Sequence, residues 1–225
     1  MPHDRFYIDA PLKGPLSLEG DEFHHLSRVM RKREGDEIEL VNGKNALALA
    51  RIESLHKAYA ELSILKTAER RPALPPLTLV QALPKLSNLE LIIQKGTELG
   101  VSTFYLYPST LSEKKELSDN QKKRLHHILI GAMKQCGRLD LPKIKWGLPK
   151  LEGNVYYGDL SEKAPSLASI GALPATLIIG PEKGFTKEEL EKFAEKGKGA
   201  SLGPYILRTE TAALAGLAIL AAKNF

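Results

Sequence analysis

Alternating polar and apolar positions dominate the first third of the chain and predict β-strands. Residues 36–41 alternate polar and apolar side chains and lead into Asn42-Gly43, a dipeptide typical of a two-residue hairpin turn, after which residues 46–52 continue the pattern. Further elements are predicted as strands at 5–8 and 59–65 and as a helix over 19–31. The pattern therefore indicates a small β-rich domain with one early helix.

The pattern changes after residues 70–76, where prolines 72, 75 and 76 prevent a helix and favour extended chain. We therefore expect two domains, residues 1–70 and 71–225. In the second, short apolar runs alternate with helical patterns, with strands at 77–83, 103–107, 155–157, 175–179 and 200–202 and helices at 87–99, 119–136, after Thr186, and at 209–222. This alternation predicts parallel strands joined by crossover helices, an α/β fold.

Composition narrows the class of protein. With 43% hydrophobic and 26% charged residues, the 225-residue chain has the composition of an ordinary globular protein. We find no signal-peptide pattern, and the longest apolar tract, residues 211–222, is too short to span a bilayer, so a cytoplasmic protein without a membrane partner is expected. A single cysteine, Cys136, excludes an internal disulfide. Neither His24-His25 nor His126-His127 directs both rings to one point on a helix, so no metal is expected.

Positive charge is concentrated in the second domain. Residues 114–145 contain nine Lys or Arg and three Asp or Glu, which favours an anionic partner, nucleic acid above all, although a solvated helix face remains an alternative. No aromatic stacking platform is apparent. The candidate RNA-binding residues are basic side chains at the end of the first helix and after the predicted strand 103–107: Arg28, Arg31, Lys32, Arg33, Lys114 and Lys115.

Two glycine- and proline-containing loops follow strands of the second domain, Gly180-Pro-Glu-Lys-Gly-Phe-Thr186 and Leu202-Gly-Pro-Tyr-Ile-Leu-Arg-Thr-Glu-Thr-Ala212. An open α/β sheet binds its ligand at the carboxyl ends of its strands. A phosphate-binding loop is excluded because Lys183 precedes its glycine, and the dinucleotide glycine pattern is absent. Backbone groups flanked by aliphatic side chains suit a flat neutral ring such as adenine. Tight strand-to-helix turns are the structural alternative.

These loops, together with Lys95-Gly-Thr-Glu-Leu-Gly-Val101, Gln135-Cys-Gly-Arg138 and the N-terminal His24-His25-Leu26 and Val29-Met-Arg31, resemble the ribosomal RNA small-subunit methyltransferase E family over the whole chain. That family belongs to the SPOUT class and methylates N3 of a uridine in 16S ribosomal RNA with S-adenosylmethionine. The resemblance implies an N-terminal PUA-like β-barrel, a C-terminal SPOUT α/β domain with a trefoil knot, and a homodimer acting on 16S ribosomal RNA or the assembled small subunit.

The resemblance also implies which residues bind the cofactor. The expected contacts lie in the two loops and at the strand ends before them: Ile179, Gly180, Pro181, Glu182, Leu202, Gly203, Ile206, Leu207, Arg208 and Thr211. Two departures from the family pattern stand out. Lys183 occupies a position that is usually glycine, and residues 111–116 replace a usual Arg-Ser pair, where Lys114 and Lys115 could supply the charge.

The proposed chemistry needs a base or a cation at the acceptor, because uracil N3 carries a proton and is otherwise a poor nucleophile. Resemblance favours Arg138 as the cation, with Arg208 and Glu210 beside the cofactor; the sequence does not choose the base among Glu98, Glu182 and Glu210. Two alternatives stay open at this point. One is a non-catalytic RNA-binding or ribosome-assembly factor, and the other is a related knotted methyltransferase that acts on another RNA.

Overall fold

The structure, a computed structural model, describes residues 5–223, which form two compact units. The first contains the described residues up to Pro72 and a later segment, Ile130–Leu141. The second contains Ala73–Leu129 and the described residues from Pro142 onward. Each unit is described separately below.

The first unit is built on a five-stranded sheet with strand order β1-β3-β4-β5-β2. Its strands are β1 Arg5–Tyr7, β2 Leu16–Glu19, β3 Glu37–Val41, β4 Ala46–Leu55 and β5 Tyr59–Glu69. Register shifts after Leu49 and Ile52 bend the long β4–β5 ribbon, so that the sheet curls around a core that includes Phe6, Leu26 and Leu40. This half-barrel agrees with the expected PUA-like fold; β2 was not predicted.

The predicted two-residue hairpin turn is wrong in its length. The loop between β3 and β4 has four residues, 42–45, and both Gly43 (φ 68°) and Asn45 (φ 66°) adopt the left-handed conformation. The longer loop has a backbone partner in the later segment. The Leu141 N–H donates to the Gly43 carbonyl at 2.9 Å, and the Asn45 N–H donates to the Leu139 carbonyl at 2.9 Å.

The single helix predicted over residues 19–31 is an α-helical turn that continues as a π-helical one. Helix α1 covers Gly20–His24, and the π-turn covers His25–Val29. The chain leaves this helix through Arg31, which has a φ of 53° and therefore cannot belong to a right-handed helix. The helix consequently ends before the basic residues that follow it.

The second unit contains a six-stranded, fully parallel sheet with order β11-β9-β10-β6-β7-β8. Its strands are β6 Leu77–Ala82, β7 Thr103–Tyr107, β8 Lys143–Trp146, β9 Asn154–Gly158, β10 Ala175–Ile179 and β11 Lys198–Ala200. Its helices are α2 Leu86–Glu98, α4 Leu167–Ile170, α5 Lys187–Ala194 and α6 Thr209–Ala222, and helix α3 Asp119–Cys136 begins in this unit and ends in the Ile130–Leu141 segment of the first. The α/β class is confirmed, whereas the trefoil knot stays a prediction.

Helix α6 packs closely on this sheet because its inner face carries small residues. A Cβ at Gly216 would lie 2.6 Å from Leu177 Cδ2 in β10, so any side chain there would have to displace the buried Leu177 side chain. Leu217 and Leu220 of the same helix are fully buried. Close packing fixes the N-terminus of α6 next to the end of β10. Within residues 5–223, the helices all fall short of the length and apolarity that crossing a membrane requires.

Candidate active site

Three loops at the carboxyl ends of parallel strands enclose a cavity of about 800 Å³ in the second unit. They follow β9, β10 and β11, which lie in the same half of the sheet. The lining comprises residues 158–162 and 164 from the first loop, 179–185 from the second and 201–207 from the third, with Leu190, Thr209 and Ala212. This is the position at which open α/β sheets bind ligands.

The loop after β10 is tight because of its two glycines. A Cβ at Gly180 would lie 3.3 Å from the Gly184 Cα, and Gly184 itself has a φ of 74°. Helix α5 follows with a capping box: Thr186 Oγ1 accepts from the Glu189 N–H, and the Glu189 carboxylate accepts from the Thr186 N–H. The loop is therefore held at both ends by backbone constraints.

A buried hydrogen-bond network joins this loop to helix α6. Thr209 Oγ1 donates to the Gly180 carbonyl at 2.6 Å. Gln81 in β6, with no exposed surface, donates through Nε2 to Thr209 Oγ1 at 3.1 Å and to the Gly180 carbonyl at 3.2 Å. Sequence reasoning missed Gln81, and the available signal was a lone amide inside the otherwise apolar 77–83 strand pattern.

The loop after β11 presents apolar side chains at the cavity. Ser201 Oγ donates to the Gly203 carbonyl at 3.0 Å and shapes the bend, while Ser201 also exchanges backbone hydrogen bonds with residues 165 and 167. Tyr205 and Ile206 are more than 80% exposed, and Leu160 from the loop after β9 is 75% exposed. These three side chains form an apolar rim on the cavity.

The charged lining of the cavity is mainly acidic. Asp159, Glu162 and Glu182 contribute carboxylates, and Lys183 contributes the opposing charge. Lys183 Nζ lies 3.9 Å from a carboxylate oxygen of Glu113, so its charge is partly offset within the protein. An acidic lining favours a neutral or cationic ligand over a phosphate. Burial, together with the Asp159 carboxylate, raises the pKa of Tyr157 above its usual value, which keeps that phenol neutral.

A second, polar depression of about 470 Å³ adjoins the cavity through shared residues Glu182 and Thr209. Glu182 Oε1 accepts hydrogen bonds from the Lys85 backbone N–H at 2.9 Å and from Asn88 Nδ2 at 3.2 Å, which orients its carboxylate. Glu210 also lines the depression, and its Oε2 is buried without a hydrogen-bond partner among residues 5–223. A buried carboxylate oxygen without a partner is costly, which indicates a group that a ligand completes.

The predicted cofactor residues are largely gathered in one place. Eight of them line the cavity: Ile179, Gly180, Pro181, Glu182, Leu202, Gly203, Ile206 and Leu207. Arg208 instead lines the second depression, and Thr211 is exposed on helix α6. The placement is compatible with the predicted roles, which themselves stay predictions.

Of the predicted catalytic residues, Arg208 and Glu210 both line the second depression. Arg138 belongs to the first unit, in the Ile130–Leu141 segment. It forms a two-contact ion pair with Asp140, including Nε to Oδ1 at 3.2 Å, and its side chain is only 15% exposed. The guanidinium is thus oriented by a neighbouring carboxylate.

The predicted RNA-binding residues fall into two groups. Arg28, Arg31, Lys32 and Arg33 lie in the π-turn and the chain that leaves it. Lys114 and Lys115 form hydrogen bonds within the protein. Lys114 Nζ donates to Gln121 Oε1 at 2.9 Å, and Lys115 Nζ donates to the Ser109 and Thr110 carbonyls. Among residues 5–223, we find no group of three or more His, Cys, Asp or Glu side chains with the geometry of a metal site.

Comparison with protein families matches both units. Residues 71–221 match the model of an RNA methyltransferase domain, and residues 18–65 match that of an RNA methyltransferase PUA domain. The ribosomal RNA small subunit methyltransferase E of Aquifex aeolicus is 32% identical, over 96% of this chain and 97% of that protein.

Solved structures give the same result for the fold. A putative methyltransferase from Legionella pneumophila, in complex with S-adenosylmethionine, superposes with a TM-score of 0.88 at 27% identity, covering 99% of this chain and 98% of that one. A ribosomal RNA small subunit methyltransferase E from Neisseria gonorrhoeae, also bound to S-adenosylmethionine, gives a TM-score of 0.83 at 28% identity with the same coverage.

Proposed function

The chain belongs to the ribosomal RNA small subunit methyltransferase E family, and from this premise we propose that it methylates N3 of a uridine in 16S ribosomal RNA with S-adenosylmethionine. One structural feature of this chain supports the proposal. The acidic cavity formed by the loops after β9, β10 and β11 adjoins a polar depression lined by Glu210, whose buried Oε2 has no hydrogen-bond partner within the described part of the chain.

The cavity fits the cofactor in size and chemistry. Its volume of about 800 Å³ lies in the range of small-molecule sites. Ile179, Ile206 and Leu207 offer an apolar surface for the adenine ring, and the carboxylates suit a ligand with sulfonium and ammonium groups. When bound, S-adenosylmethionine supplies an electrophilic methyl group. Lys183 does not contradict this, because Glu113 offsets its charge.

We infer that the polar depression receives the uracil. Glu210 takes the N3 proton, which leaves the nitrogen lone pair available for attack on the methyl group. Arg208 stabilises the negative charge that develops on the uracil oxygens. Glu182, fixed by Lys85 and Asn88, holds the wall between the two recesses. Arg138, oriented by Asp140, is proposed as a further contact to the RNA.

The proposal also covers the domain organisation, the oligomeric state and the location of the protein. We propose a PUA-like domain over residues 1–70 and a methyltransferase domain over 71–225, supported by the two family matches. A homodimer is supported by the apolar rim of Leu160, Tyr205 and Ile206, whose exposure a second copy would reduce. A cytoplasmic location follows from a ribosomal substrate.

The test is transfer of labelled methyl groups to free 16S ribosomal RNA and to small ribosomal subunits, with mass spectrometry to identify the methylated base. We expect 3-methyluridine at a single position. Glu210→Gln should lower turnover by about 10²- to 10⁴-fold while the protein still binds S-adenosylmethionine. Glu191→Gln is the matched control, because that exposed carboxylate is paired with Lys187 on helix α5, lies outside both recesses and should keep normal turnover.

Three outcomes would contradict the proposal. Methylation at a ribose hydroxyl or on another RNA would assign a different acceptor. Normal turnover by Glu210→Gln would exclude that carboxylate as the base. Cofactor binding without transfer to any form of the small-subunit RNA would support a non-catalytic RNA-binding protein instead.

A further inference from the structure

We propose that the outer edge of the parallel sheet, centred on Trp146, is a stacking surface for a single-stranded stretch of the substrate RNA. The inference rests on the proposed function for the identity of the RNA. It concerns a region of the second unit away from the cavity residues, and it adds a contact that positions the substrate.

Strand β8 is the last strand of the sheet, so one of its edges has no neighbouring strand among the described residues. Lys145 is in register with Tyr105 of β7, and Trp146 is in register with Leu106. Because successive side chains on a strand point to opposite faces of the sheet, Lys145 and Trp146 lie on opposite faces, both along the exposed edge. An extended chain that follows this edge can contact both.

Each aromatic ring at this edge has a lysine ammonium beside it. Lys122 Nζ lies 5.4 Å from the centre of the Trp146 ring, and Lys145 Nζ lies 5.3 Å from the centre of the Tyr105 ring. Lys145 Nζ also donates to the Tyr105 hydroxyl at 3.2 Å. Aromatic faces combined with positive charge are the two components of single-strand nucleic-acid binding surfaces.

The edge is positively charged and Trp146 is accessible. Residues 143–150 contain three lysines and no Asp or Glu. Trp146 is 47% exposed, so part of its ring is accessible to a ligand. Edge-strand lysines commonly prevent strand addition by another chain, and that role explains Lys143 and Lys145. It does not explain an exposed tryptophan, whereas a nucleobase stacked on the ring does.

Trp146 is the only tryptophan of the chain, so its fluorescence reports this surface directly. We would titrate the full-length protein with a single-stranded RNA oligonucleotide and follow tryptophan emission and, separately, the anisotropy of a label on the RNA. Stacking should quench the emission with the same midpoint as the anisotropy change. Trp146→Ala should weaken binding by about 5- to 150-fold, the equivalent of one stacked base.

Two further variants distinguish the loss of stacking from a general loss of RNA binding. Trp146→Phe keeps an aromatic face and should retain most of the affinity, whereas Leu148→Ala removes a nearby exposed apolar side chain (51% exposed) and should bind RNA normally. Equal melting temperatures would establish that Trp146→Ala is folded.

The result that overturns the proposal is saturating RNA binding, seen by anisotropy, with no change in Trp146 emission and equal affinity for Trp146→Ala. An emission change on dilution without RNA would also overturn it, because it would assign the edge to contact with a second copy. The two proposals can fail independently. Quenching of Trp146 by RNA without methyl transfer would support the stacking surface and contradict the proposed function. Methyl transfer by a Trp146→Ala variant with unchanged RNA affinity would support the proposed function and contradict the stacking surface.

Discussion

Replacing Thr209 with valine removes one hydroxyl from the network that holds the loop after β10, at almost constant side-chain volume. The hydroxyl is 2.6 Å from the Gly180 carbonyl, and it accepts from Gln81 Nε2 at 3.1 Å; the residue is 5% exposed. Gln81 Nε2 still donates to the Gly180 and Ala82 carbonyls, so the lost bonds are partly replaced. We therefore expect Thr209→Val to lower the free energy of unfolding by about 1–3 kcal/mol, the usual cost of disturbing a buried hydrogen bond.

The measurements are thermal unfolding and calorimetric titration with S-adenosylmethionine. At about 2–4 °C per kcal/mol for a chain of this size, the melting temperature should fall by about 2–12 °C. Because the network fixes the cavity loop, the Kd should rise as well, by about fivefold for each kcal/mol spent on re-ordering the loop. Thr67→Val is the matched control, since it makes the same change at an exposed position on strand β5, outside the cavity lining. Equal melting temperatures and equal Kd values for the two variants would refute the reasoning.

Three further predictions use other parts of the chain. Gly43→Ala should destabilise by about 1–3 kcal/mol more than Gly14→Ala in urea titrations, because both glycines have a φ near 67° but only at Gly43 would a Cβ collide, 2.7 Å from Leu141 Cβ. Thr186→Ala should cost about 0.5–2 kcal/mol in the same assay through loss of the capping box, and Thr186→Ser should restore most of it. Binding of 16S ribosomal RNA should weaken steeply as salt rises, and a flat dependence would exclude the basic surfaces as phosphate contacts.

Elements that bury an apolar face over several turns or strand positions could be predicted from the sequence. The bounds 103–107, 119–136, 175–179 and 209–222 agree with the structure. Strand β11 was predicted at 200–202 but covers Lys198–Ala200. Its position follows from pairing with β9, and a Cβ at Gly199 would overlap Asp159 Oδ2, so that carboxylate would have to move. A pairing partner 42 residues away leaves no local pattern.

The sequence pattern also failed to identify β8 and one part of the site. Strand β8 alternates polar and apolar residues from Lys143 to Trp146, but it has only four residues, the shortest length at which alternation indicates a strand. The loop residues of the cavity were accessible to sequence reasoning because glycine, proline and their spacing are local. The role of Gln81 was not, because its partners Gly180 and Thr209 are about a hundred residues away in the chain.

The segment Ile130–Leu141 has a consequence for how the protein is made. It contributes Met133 and Leu139 to a small core with Val41 of β3, and it binds the backbone of the loop between β3 and β4. The ribosome therefore releases the whole five-stranded sheet well before the residues that complete its unit. Until residue 141 has emerged, the nascent chain exposes Val41, and the first unit reaches its final stability only when more than half of the protein has been synthesised.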